Sequence, residues 1–67
     1  MAETNHNTAA KSHEDAAKAH HMAAEHAQKG DHKASLDHSQ KAHGLAETAL
    51  KQSTEAHQTS AKHAKAA

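Results

Sequence analysis

Alanine is nearly the only apolar residue this chain offers for packing. Of 67 residues 18 are Ala; there are three Leu (Leu36, Leu45, Leu50), one internal Met (Met22), and no Val, Ile, Phe, Trp or Tyr. Burying a Leu or Met contributes roughly 1.5–3 kcal/mol and a methyl far less. Ordering the backbone costs about 1–2 kcal/mol for every residue. A chain of this size is one domain at most and is marginal as a lone monomer, so self-association or a ligand is expected to complete it. It contains no Cys, which removes disulfides and thiolate metal sites alike.

The alanines are spaced for helices. Ala9, Ala10, Ala16, Ala17, Ala23, Ala24 and Ala27 recur in steps of three, four and seven, the spacing of one helix face. Residues 1–7, MAETNHN, are polar and aperiodic and are expected to form a disordered tail outside a single domain of residues 8–67. Thr8 offers an N-cap, and the first helix is expected over about 8–29. Lys29-Gly30-Asp31 is a stop followed by a start: Gly suits the residue just past a helix end, and Asp caps the next helix. The second helix is expected over about 32–65, with Leu36, His43, Leu50, His57 and Ala64 in a seven-residue series. A break near 52–55, at Ser53-Thr54-Glu55, would convert the hairpin into a three-helix bundle.

The fold expectation is therefore an all-α antiparallel hairpin that dimerises into a four-helix bundle. Pairing outward from the turn places residues whose numbers sum to about 61 side by side. On that register Gly44 makes a close helix–helix contact at Ala16/Ala17, and His20 lies beside His38 and Ala42. Helix two overhangs unpaired past residue 55.

Two stretches resemble known proteins. QKGDHKASLDHSQKA, residues 28–42, resembles the middle of a tetratricopeptide repeat in its Gly30-Asp31 turn, its small residues Ser35 and Ala42, and the Leu36 between them. A solenoid needs about three such units, so this resemblance implies the hairpin alone. SHEDAAKAHHMAAEHAQKGDH, followed by KAHGLAETA and AHQTSAKHA, resembles the short Ala- and His-rich bacterial proteins of unassigned role over residues 12–64. That resemblance implies a helical fold and brings no catalytic residues with it.

Charge narrows the function. Eight Lys balance eight acidic residues, and the ten His add up to ten positive charges as pH falls past their ordinary range near 6.5. This neutrality, with no Arg and no aromatic ring, argues against a nucleic-acid surface. No apolar run suits a signal peptide or a membrane span, so the expected location is the cytoplasm. No nucleophile sits on a strained turn and no Gly-rich loop could cradle phosphate, so no enzymatic activity is expected.

The histidines carry the functional expectation, which is binding or buffering of Zn²⁺, Ni²⁺ or Cu²⁺ through imidazole. The chain has no H-x-x-H and no H-x-x-x-H. Its helical pairs are mixed: His21 with Glu25, His43 with Glu47, and Met22 with His26. The candidate ligands are His20, His21, His38 and His43 with Glu25 and Glu47, gathered around His20 and His38 across the hairpin. His13 and His20 are alternatively structural, filling the seam where Leu would normally sit; acid would then unfold the protein between roughly pH 6.5 and 5. The rival functions are a stress-related hydrophilic protein and a structural or partner-binding hairpin without a specific metal.

Overall fold

Two α-helices joined by a three-residue connection make up the described residues. A computed structural model describes residues 2–66; Met1 of the expected tail and Ala67 of the expected domain lie outside the described residues. Helix α1 is Ala2–Gln28 and helix α2 is His32–Ala66. They pack antiparallel as a ribbon whose Cα atoms extend 54 × 13 × 11 Å.

The connection follows from local chemistry. Gly30 adopts φ +83°, the left-handed conformation in which L side chains are disfavoured. Its N–H donates to the Ala27 carbonyl at 3.1 Å, and the Asp31 N–H donates to the His26 carbonyl at 2.9 Å. These two bonds form a Schellman cap that satisfies carbonyls α1 would otherwise leave open. Asp31 then starts α2. Its carbonyl accepts from the Ser35 N–H at 3.0 Å, and its Oδ1 accepts from the Ala34 N–H at 3.1 Å. Replacing Asp31 by Ala removes that second bond, and a loss of about 1 kcal/mol is expected for an N-cap. Urea unfolding of the variant should show it as a lower midpoint at unchanged slope.

The seam between the helices is a run of small residues at alternating steps of three and four. On α1 it contains Ala9, Ala16 and Ala19, which are buried. On α2, Ala42, Ala49 and Ala56 are each 0% exposed. Among the described residues no side chain larger than Ala is fully buried. Polar pairs interrupt this alanine stack at intervals. The Asn5 amide donates to Thr59 Oγ1 at 2.8 Å, Ser12 Oγ donates to Gln52 Oε1, and Ser35 Oγ donates to the Ala23 carbonyl at 2.9 Å. Each satisfies a half-buried polar group and would be lost on a slip of register.

Several expectations are corrected here. Residues 2–7 are helix, not tail, because Asn5 and His6 are tied to Thr59 and Ser60. The same bonds give α2 a partner as far as Ser60, so it is not unpaired past residue 55. Cross-helix partners sum to about 64 rather than 61: Asn5 with Thr59, Ser12 with Gln52, His26 with His38. The Schellman cap and the first turn of α2 together shift the centre of the hairpin beyond the Gly30-Asp31 bond. Helix α2 is unbroken at 52–55, which removes the three-helix alternative. Thr54 Oγ1 bonds back to the Leu50 carbonyl at 3.1 Å, within a continuous helix that has no Pro. Gly44 is exposed, and a Cβ built there would meet nothing within 4 Å, so it is not the expected close contact.

Candidate functional site

The new register redistributes the histidines. Eight of the ten are exposed, only His26 and His38 are half-buried, and none is buried. His13 and His20 therefore do not fill the seam; alanines do, and the imidazoles flank them. Acid unfolding driven by buried neutral His13 and His20 loses its basis.

The expected cluster is likewise rearranged. His38 stacks on His26, with ring centroids 5.0 Å apart and planes 6° from parallel. His20, expected beside His38, is exposed on the strip of α1 that also carries His6 and His13. His21 and Glu25 are both exposed on α1. His43 Nε2 lies 3.0 Å from Glu47 Oε1 on the next turn of α2, and these side chains are 79% and 70% exposed. Of the expected combinations, this is the one in which imidazole and carboxylate meet. Among the described residues no group of three or more His, Asp or Glu comes together as a metal-binding set.

His26 is the residue that sequence spacing undervalued. Its Nδ1 lies 3.9 Å from Asp31 Oδ2, so the capping carboxylate, His26 and His38 gather beside the turn. Parallel rings at this separation cannot both direct an in-plane nitrogen lone pair at one ion lying between them. As they stand, they pack against each other and do not form a chelate.

The exposed residues separate into two faces. His6 and Ser60 share a 2.7 Å hydrogen bond, which joins the strips flanking the seam on one side. On the other side Asp15, Lys18 and Met22 of α1 and His38, Lys41 and Leu45 of α2 line an open cleft of about 300 Å³. Helical periodicity extends both strips along the ribbon. The cleft side carries seven lysines, at 11, 18, 29, 41, 51, 62 and 65, and five acids, at 15, 25, 31, 37 and 55. Seven minus five leaves it at +2. The opposite side is uncharged along its middle, where His6, His13, His20, His43 and His57 lie among Ala and Ser; Glu3 stands at its end, and Glu14, Lys33 and Glu47 stand on its borders, the last against His43. Leu36 and Leu50, 58% and 66% exposed, lie on that uncharged side.

Comparison with protein-family models, curated proteins and solved structures finds no match. No helix among the described residues is long and apolar enough to cross a membrane.

Proposed function

We propose that this chain is a non-enzymatic binding protein that takes up Zn²⁺, Ni²⁺ or Cu²⁺ through solvent-facing imidazoles, working as a self-associated helical bundle in the cytoplasm. The observation that carries this reading is the pair His43 and Glu47, held 3.0 Å apart on successive turns and open to solvent. Neutral imidazole and carboxylate are suitable donors for these ions, and a helix presents such a pair without reorganising its backbone. The other exposed histidines, His20 and His21 among them, add weaker single-donor sites, which is the character of a buffer. A single hairpin does not assemble three ligands, so a tighter site requires donors from a second copy.

The test is an imidazole NMR titration of chelator-treated protein with Zn²⁺, then Ni²⁺. The expected result is a saturable shift led by His43, weakening as pH falls because protons compete for the ligand, and abolished in His43→Gln. A common drift of all ten histidines without saturation would overturn the reading.

A second reading is a structural or partner-binding hairpin with no specific metal. The separation of charge onto one face favours it, since a uniformly solvated surface has no need of an uncharged side. A largely disordered stress protein fits less well with a capped turn and polar pairs that join the helices.

A further inference from the structure

We infer that the uncharged face is the surface through which two copies of this chain dock. This deepens the self-association just proposed and does not depend on metal.

Three observations identify the second copy as the occupant. The first is charge. An interface must strip water from what it covers, and unpaired charges resist that. One side of the ribbon has a run of lysines and a net +2, so two such faces repel. The other has Glu3 at one end and Glu14, Lys33 and Glu47 on its borders, so two copies can meet along its middle with those charges at the rim. The second is area. A ribbon 54 Å long and 13 Å wide presents a face of about 700 Å² in outline, close to the ~800 Å² per partner of a standard interface. The third is what lies exposed on it. Among the described residues Leu36 and Leu50 are the most exposed large apolar side chains, and both are on this face, while none larger than Ala is fully buried inside the hairpin.

A two-fold axis through the middle of the face makes the contact self-complementary, as a closed dimer requires. Leu50 lies near mid-length of the ribbon, so the axis brings the two copies of it together, with alanines and serines of both chains around them. The flanking imidazoles, His13 and His43, fill space and share hydrogen bonds across the contact.

The experiment is sedimentation of the full chain in EDTA over a concentration series. The expected result is a dimer that dissociates on dilution. Leu50→Lys should weaken the dimer at least tenfold, whereas Met22→Lys, on the charged face, should leave it intact. Because a dissociated hairpin is open to unfolding, Leu50→Cys supplies a second readout: mild oxidation should link two copies through position 50, and Met22→Cys should not link. A monomer at every concentration, or a dimer broken by Met22→Lys and spared by Leu50→Lys, would overturn the inference. A dimer that forms only with added metal would overturn it too while leaving the metal reading standing. Dimerisation in EDTA without saturable metal binding would support this interface and defeat that reading.

Discussion

Ala49→Leu is expected to melt well below the parent protein at the same concentration, with much of its helical signal lost near room temperature. Ala49 is 0% exposed, in the middle of a seam lined by Ala16 and Ala19 on the opposite helix and by Ala42 and Ala56 on its own. The helices approach because these side chains end at Cβ. A Leu needs three more carbons of room where two backbones already meet, and the seam can admit it only by separating or by changing rotamers against strain. Overpacking of a well-filled core costs about 1–3 kcal/mol. For a domain of this size each kcal/mol shifts the melting midpoint by roughly 4–8 °C. Separation would also stretch the bonds of Asn5 to Thr59 and Ser12 to Gln52, so the loss should fall toward the upper end of that range. Ala61→Leu provides the comparison. Ala61 is exposed on α2, and the same change there should alter the midpoint little. Circular dichroism melts of the two variants check both statements, and equal midpoints would show that the seam is not close-packed.

The same small residues explain which parts of the fold sequence could reveal. The turn was legible because its chemistry is local. Gly30 and Asp31 cap helices by hydrogen bonds within five residues, and no other part of the chain need be known. Helix type was legible because no other regular structure suits so much alanine and so few branched residues. Register was not legible. Ala9 and Ala10, Ala16 and Ala17, and Ala23 and Ala24 are doublets, so two adjacent stripes of α1 are equally apolar. The residues that select one stripe are Asn5, Ser12, Gln52 and Thr59, which taken singly look like surface residues. They become informative only as pairs, and the pairs are 40 and 54 residues apart in sequence.

The site followed the same division. His43 and Glu47 needed only the helical repeat, and the structure joins them. The grouping of His20 with His38 depended on the register and was displaced with it, leaving His26 as the ring against His38. The two faces were hidden for a related reason. Lys and His alternate along the sequence, and only the position of the seam shows that seven of the eight lysines fall on one side and most of the flanking imidazoles on the other.

The two glycines should respond to one chemical change with opposite signs. Gly44→Ala is expected to stabilise the hairpin by about 1 kcal/mol, since Gly in a helix interior is roughly 0.8–1 kcal/mol less favourable than Ala. That gain is available only if the methyl has room, and a Cβ at Gly44 meets nothing within 4 Å. Gly30→Ala has open space as well, yet its φ of +83° places the new Cβ against its own backbone. The left-handed conformation costs an L residue about 1–2 kcal/mol. The cost falls on the cap that closes α1 and sets the direction of α2, so it should appear as lost stability or as a loosened turn. The two variants should therefore separate by about 2 kcal/mol although each adds one methyl to an uncrowded glycine. Urea unfolding of the pair tests this, and midpoints moving in the same direction would contradict it. Steric space is equal at the two sites, so any difference measured belongs to the backbone: a helix in which glycine is a flaw, and a turn that glycine makes possible.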